Sequence, residues 1–122
     1  MKLRLLENSI RLRLSRNDVA AVDEQGIVTG QTHFPHGGVF TYVLETLPNG
    51  SDARATYRDE RMVVNFPAAE ISAWAIDDTA VSLRSEVQLP DGNHLTLLIE
   101  KDFICLTHRD EDQSDLFPNP EG

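Results

Sequence analysis

Two stretches of this sequence repeat one another. Residues 3–22 align without a gap on residues 55–74, with apolar positions falling on apolar positions. After a short drift in spacing, residues 40–45 align on residues 95–100. A repeat of about 50 residues constrains the architecture more than any single motif, because each copy must build the same structural unit.

The length and the repeat together predict one domain. A chain of 122 residues with 40% hydrophobic residues is long enough to bury a core of its own. We expect a single duplicated domain over residues 1–106, with repeats at 1–50 and 53–104. An acidic, extended C-terminal tail follows at residues 107–122.

Alternating apolar and polar residues predict strands in both copies. Leu12 and Leu14 should face one way while Arg11 and Arg13 face the other, which is typical of a strand with one buried face. The predicted segments of the first copy are residues 3–5, 10–14, 16–24, 27–33 and 39–46, and those of the second are 53–58, 62–66, 68–76, 79–89 and 94–103.

Each copy carries one short helix after its second strand. Ser15 offers an N-cap with Asp18 three residues later, which is a short form of the capping box. Pro67 suits the start of the second helix. Trp74 aligns with Val22 within the two helices, so we expect Trp74 to anchor the core.

The order of elements in each copy is therefore strand, strand, helix, strand, strand. Made twice, this unit predicts an α+β fold with eight strands and two short helices, its halves related by a pseudo-twofold axis. The strands form either a curved eight-stranded antiparallel sheet or a closed barrel. Sequence pattern alone does not distinguish these two.

The charge distribution is uneven. A formal charge of −9 makes nucleic acid an unlikely class of partner, because phosphate contacts rely on clustered Lys and Arg. Basic residues nevertheless crowd the start of the chain and acids crowd its tail, where Leu116 and Phe117 are the only large apolar residues beyond Thr107. We expect the tail to bind a protein partner or to mediate self-association, within one molecule or between copies.

Cellular location follows from three absences in the sequence. Cys105 is the only cysteine, so no intramolecular disulfide can form. The first 15 residues contain four charged side chains after Lys2 and lack the apolar run of a signal peptide. No segment approaches the roughly 20 apolar residues of a membrane span. These features predict a cytoplasmic protein without a membrane partner.

Several segments carry a resemblance to a known group of sequences. They are residues 2–5 and 8–14, residues 32–35, residues 100–106 and residues 117–120. Together they resemble a family of short, uncharacterised bacterial proteins over essentially the whole chain. The resemblance implies a self-contained bacterial domain, and it implies no activity, cofactor or site residues.

Two pairs of soft ligands have the same spacing. His33 and His36 flank two residues, as do Cys105 and His108. Zinc favours a tetrahedral set of nitrogen and sulfur ligands, and this spacing suits one ion. The pairs indicate a possible Cys/His₃ zinc site, whereas the alternative is a loop histidine pair and a cysteine packed at a strand end. Otherwise we expect no cofactor.

The polar face of the strands is a second candidate site. Its charged positions are Arg4, Arg11, Arg13, Arg84, Glu45 and Glu100. If the strands close and these residues line the interior, their layout would be similar to that of triphosphate tunnel enzymes, in which basic residues hold phosphates and acidic residues hold a metal. The Glu-x-Glu-x-Lys strand motif of those enzymes is missing, and solvated cross-strand pairs are the alternative.

The sequence therefore favours a small binding or protein-interaction domain of unknown ligand. Catalysis is the secondary hypothesis, as a phosphate- or metal-dependent enzyme that uses the charged strand face. The two hypotheses differ in whether the arginines converge on acids inside a concavity or point to solvent.

Overall fold

The structure, a computed structural model, describes residues 1–103 of the chain. Two helices and eight strands follow the predicted order within that part. The elements are β1 (Lys2–Leu5), β2 (Ser9–Leu14), α1 (Arg16–Gln25), β3 (Ile27–His33), β4 (Val39–Leu47), β5 (Arg54–Arg58), β6 (Arg61–Pro67), α2 (Ala68–Ile76), β7 (Ser82–Gln88) and β8 (His94–Lys101). The α+β class is confirmed, with element bounds close to those predicted.

The strands form two sheets of four. Sheet A has the order β1-β2-β8-β7 and sheet B the order β3-β4-β6-β5. Each sheet therefore takes one hairpin from each half of the chain. The central pairs, β2 with β8 and β4 with β6, are parallel, whereas the outer pairs are antiparallel. Over the described residues the strands thus form two mixed sheets, instead of one antiparallel sheet or a closed barrel.

Strand pairing repeats between the halves residue for residue. Leu12 lies opposite Ile99 in sheet A, and the equivalent Val64 lies opposite Leu44 in sheet B. Because a slip of one residue would turn every side chain to the other face, identical registers require the same apolar pattern in both copies. The duplication is confirmed, and it extends from sequence to hydrogen-bonded register.

The two sheets and both helices share one core. Its fully buried members include Leu12 and Ile99 from sheet A, Leu44 and Phe66 from sheet B, and Ile71 from α2. The alternation of each strand directs one face into this core and leaves the other face outside. The strongest driving force for folding is therefore apolar burial between the sheets.

The helices begin differently in the two halves. Ser15 accepts a hydrogen bond from the Asp18 backbone N–H at 3.2 Å, and Asp18 accepts one from the Ser15 N–H at 3.0 Å, which confirms the capping box. Pro67 occupies the equivalent place before α2 and has no side-chain cap. There the Asn49 side chain accepts a hydrogen bond from the Ala69 N–H at 2.9 Å instead.

The helices define two ends of the domain. At one end, which we call the helix end, β2 and β6 run directly into α1 and α2. At the opposite end, which we call the turn end, β2, β4, β6 and β8 begin. Each helix carries the chain from one sheet to the other. Neither helix of residues 1–103 is long and apolar enough to cross a membrane.

Candidate functional site

Basic side chains gather on the outer face of sheet A. Arg11 and Arg13 alternate with the buried Ile10, Leu12 and Leu14 along β2, so they point away from the core. The pairing of strands adds three more basic residues on the same face. We call this surface the arginine face; its basic members are Lys2, Arg4, Arg11, Arg13 and Arg84.

Two of these arginines share one carboxylate. The Oε1 atom of Glu100, on β8, lies 3.2 Å from Arg13 Nη2 and 3.6 Å from Arg11 Nε. The Glu100 side chain is only 17% exposed, so the contact lies partly out of water and is screened less than an exposed pair. Two guanidinium groups on one carboxylate leave an excess of positive charge.

Like charges also lie directly opposite one another on this face. Arg4 is paired with Arg11, and Lys2 with Arg13, in the register of β1 and β2. Like charges at opposed positions in a sheet destabilise it. Lys2 forms an ion pair with Asp102 at 3.0 Å, which offsets its repulsion from Arg13, whereas Arg4 makes no ion pair within residues 1–103.

Sheet B provides an internal comparison for this face. Thr56, Val63 and Asn65 occupy the positions equivalent to Arg4, Arg11 and Arg13, and Thr29 occupies that of Arg84. The fold is therefore built in sheet B without the arginines. Their presence in sheet A is not a requirement of strand pairing.

Glu45 stands apart from the other predicted ligand-binding residues. It is the sheet B counterpart of Glu100, is exposed, and makes no ion pair among the described residues. Arg84 pairs with Glu86 of its own strand at 2.9 Å. The structure therefore brings together Arg4, Arg11, Arg13 and Glu100 and separates Glu45 from them.

The arginines lie outside the sheets and not within them. The space between the sheets is filled by apolar side chains of the core. A charged interior of the kind found in triphosphate tunnel enzymes is accordingly not formed by residues 1–103. The physical reason is that side chains alternate between the two faces of β2. Leu12 and Leu14 lie on its inner face, so Arg11 and Arg13 lie on its outer face.

The predicted zinc ligands are only half described. His33 ends β3, His36 lies in the following turn, and both are exposed at the turn end. Cys105 and His108 lie outside the described residues. Residues 1–103 contain no group of three metal-ligating side chains.

An apolar cleft opens between the sheets at the turn end. It has a volume of about 410 Å³. Three pairs of equivalent residues line it, one member of each pair from each sheet: Leu5 and Tyr57, Ile10 and Met62, Leu95 and Phe40. Equivalent positions of the two repeats therefore meet at this cleft. We call it the turn-end cleft.

Exposed apolar side chains surround the turn-end cleft. Leu5 is 57% exposed, Leu6 61% and Tyr57 68%. Phe40 contacts Tyr57 with ring centroids 6.3 Å apart, and the two rings also line a second hollow of about 280 Å³ beside Phe34. The apolar surface is thus wider than the cleft and continuous with it.

The cleft was not predicted as a site from the sequence. Its six symmetric residues were present in the repeat alignment as three apolar pairs, at the ends of predicted strands next to turns. An apolar residue at a strand end is as common in a core as in a cleft, so the pattern alone gave no reason to single them out. The missing information was the exchange of hairpins that brings the two strand ends together.

Comparison with known proteins gives one match. A family model described as a family of unknown function, DUF7009, matches residues 1–121. No curated protein and no solved structure matches the chain. Since the match covers essentially the whole sequence, the chain belongs to this family of unknown function.

Proposed function

We propose that this protein is a cytoplasmic bacterial binding domain that holds apolar side chains of a protein partner in the turn-end cleft. The observation that carries the proposal is the cleft itself, an open apolar cavity of about 410 Å³ that is lined by residues of both repeats. Its volume falls within the range of about 300 to 1,000 Å³ that is usual for binding sites.

The lining determines the chemistry of the ligand. Among the residues that line the cleft, only Thr56 and Tyr57 carry a hydroxyl group, and none is charged. A charged group placed there would lose its hydration without gaining a partner, which is costly. The ligand is therefore apolar where it enters the cleft.

The surroundings of the cleft favour a protein segment over a small molecule. Leu6, next to Leu5 in the sequence, and Phe34, in the second hollow, are exposed outside the cleft, and a molecule that fits the cavity alone would leave them in water. Large exposed apolar patches mark interaction surfaces, and buried aromatic anchors dominate their binding energy. An extended segment with two apolar side chains covers both hollows.

The chain offers a direct test of this proposal because it has only two methionines. Met62 lines the cleft and Met1 does not, so a protein labelled with ¹³C at the methionine methyl groups gives one reporter signal in the site and one outside it. Peptides selected by phage display on the full chain should carry paired apolar residues. Their binding should shift the Met62 methyl signal and leave the Met1 signal in place.

Two rim variants and a matched control complete the test. Leu5→Asp and Tyr57→Asp place a charge on exposed rim positions, and each should weaken binding at least about tenfold, or about 1.4 kcal/mol. Ile76→Asp serves as control, since Ile76 is 77% exposed and does not line the cleft. Peptides that bind without shifting Met62, or bind both rim variants as well as the unaltered chain, would overturn the proposal.

A further inference from the structure

We infer that the chain's own acidic segment, residues 110–115, docks on the arginine face in the same molecule. The segment contains Asp110, Glu111, Asp112 and Asp115. This interaction is separate from the turn-end cleft and does not depend on the function proposed for it. Four observations support it.

The first observation is the unbalanced charge of the arginine face. Five basic side chains lie on the outer side of sheet A, against Glu86 and Glu100 on the same side and Asp102 just beyond β8. The whole chain carries a net charge of −9, so five basic side chains on one sheet face depart from its overall charge balance. An acidic partner is the one that complements it.

The second observation is that like charges lie opposite one another on the arginine face. Arg4 lies opposite Arg11 in the register of β1 and β2, and Arg11 shares its only carboxylate partner within residues 1–103 with Arg13. Repulsion between opposed like charges is relieved when an anion lies between them. A carboxylate placed over Arg4 and Arg11 supplies the relief that Glu100 cannot give to all three arginines.

The third observation is the comparison with sheet B. Thr56 and Asn65 stand at the positions of Arg4 and Arg13 in the same fold. The same strand pairing therefore forms in sheet B without charges at these two positions. A role outside strand pairing accounts for them.

The fourth observation is reach. The described chain ends with Phe103 beside sheet A, where the Asp102 N–H donates to the Leu14 carbonyl at 2.8 Å. Arg11 lies opposite Leu98, about 17 Å back along the strand direction, while the seven residues from Phe103 to Asp110 span up to about 23 Å. The family match also continues to residue 121, so the matched range includes this segment.

A paramagnetic label on the full chain tests the inference. Cys105→Ser with Ser114→Cys moves the single thiol into the acidic segment, where it carries a nitroxide. The label should broaden amide NMR signals of β1, β2 and β8 more than those of sheet B. The effect should be lost near 1 M salt, at which the Debye length is about 3 Å.

Two sets of variants separate the contact from other causes. Asp110→Asn, Glu111→Gln, Asp112→Asn and Asp115→Asn together should abolish the broadening, and they alter no residue of the described fold. Arg4→Thr with Arg13→Asn, which installs the residues of sheet B, should also abolish it. Arg54→Thr in sheet B is the matched control, because Arg54 is exposed and should leave the broadening unchanged.

Isotope mixing decides which copy supplies the segment. In a mixture of ¹⁵N-labelled chain without nitroxide and unlabelled chain with nitroxide, docking within one molecule gives no broadening. Broadening in that mixture would overturn the inference in favour of a second copy. Equal broadening of both sheets, or none on sheet A, would also overturn it.

Discussion

Val22 and Trp74 occupy the same place in the two halves of the fold, and both are buried, with exposures of 0% and 3%. Their helices pack on one core, and on the exposed side the Asp23 carboxylate of α1 accepts a hydrogen bond from the Ser72 hydroxyl of α2 at 2.8 Å. The larger residue has an additional bond, because the Trp74 indole N–H donates to the Val81 carbonyl at 3.2 Å. One position of the repeat thus holds side chains of very different volume.

Replacement of Trp74 by alanine should be strongly destabilising. Truncation leaves a cavity in the shared core and removes one of the two donors to the Val81 carbonyl, which keeps the Lys101 N–H, so the free energy of unfolding should fall by about 3 to 5 kcal/mol. Ile76→Ala in the same helix is the control, since Ile76 is 77% exposed and should cost less than about 0.5 kcal/mol. Denaturant titration measures both, and an unchanged midpoint for Trp74→Ala would contradict its anchoring role.

The start of α1 should make stability depend on pH. Burial of Asp18 raises the pKa of its carboxyl, but hydrogen bonds from the Met1 amino group and from Ser15 lower it more, so the net pKa lies below the usual 3.8. A folded-state pKa below the unfolded one stabilises the protein above the unfolded pKa. That contribution is lost as pH falls through the folded pKa.

The measurement compares the unaltered chain with Asp18→Asn from about pH 6 to about pH 2. The difference in free energy of unfolding should be largest at the upper end and should vanish at the lower end. Ser15→Ala should cost about 1 kcal/mol by removing the N-cap. A difference that stays constant over the whole range would show that the Asp18 charge contributes nothing to folding.

Glu100 and Glu45 form a second matched pair. Glu100→Gln removes the shared negative partner of Arg11 and Arg13, and the remaining repulsion on β1 and β2 should lower stability by about 1 kcal/mol. Glu45→Gln should change it by less than about 0.5 kcal/mol, because Glu45 is exposed and without an ion pair among residues 1–103.

Ionic strength provides the check on this interpretation. Added salt should reduce the difference in stability between Glu100→Gln and the unaltered chain, since screening weakens the repulsion of Arg4, Arg11 and Arg13. Thermal unfolding at low and high salt measures this difference. If Glu100→Gln and Glu45→Gln changed stability equally, Glu100 would not offset the repulsion between the arginines.

Much of the fold could be predicted because local patterns determine it. Ser15 with Asp18 specified the start of α1, and the alternation of Leu12 and Leu14 with arginines specified which face of β2 is buried. The exchange of hairpins between sheets could not be predicted in this way. Alternation states which face of a strand is apolar, whereas the edge at which β2 meets β8 is set by tertiary packing.

The site was less predictable than the fold for the same reason. The arginines of β2 were identified as a polar face, but their partner Glu100 lies 87 residues from Arg13 in sequence. The turn-end cleft depends on two strand ends that meet only after the hairpins exchange, as with Ile10 and Met62. A contact between distant segments leaves no periodic signal in a single sequence.

Gly30 and Tyr42 show how the two halves diverge at one pair of positions. They lie opposite each other on β3 and β4, where the other half has Ser85 opposite Leu97. A Cβ on Gly30 would come within 2.4 Å of the Tyr42 ring, so the ring occupies the space that a side chain at residue 30 would need. The Tyr42 hydroxyl donates to the Met1 carbonyl at 3.0 Å, which holds the ring there.

The pair should therefore be coupled in a double-mutant cycle. Gly30→Ser alone should destabilise the protein by about 1 to 3 kcal/mol through overpacking against the ring. Tyr42→Leu with Gly30→Ser recreates the pair found in the other half, and it should cost less than the sum of the two single changes by at least about 0.5 kcal/mol. Denaturant unfolding of the four proteins gives the coupling energy. Additive effects would show that the ring moves away freely, and that the glycine is not required by Tyr42.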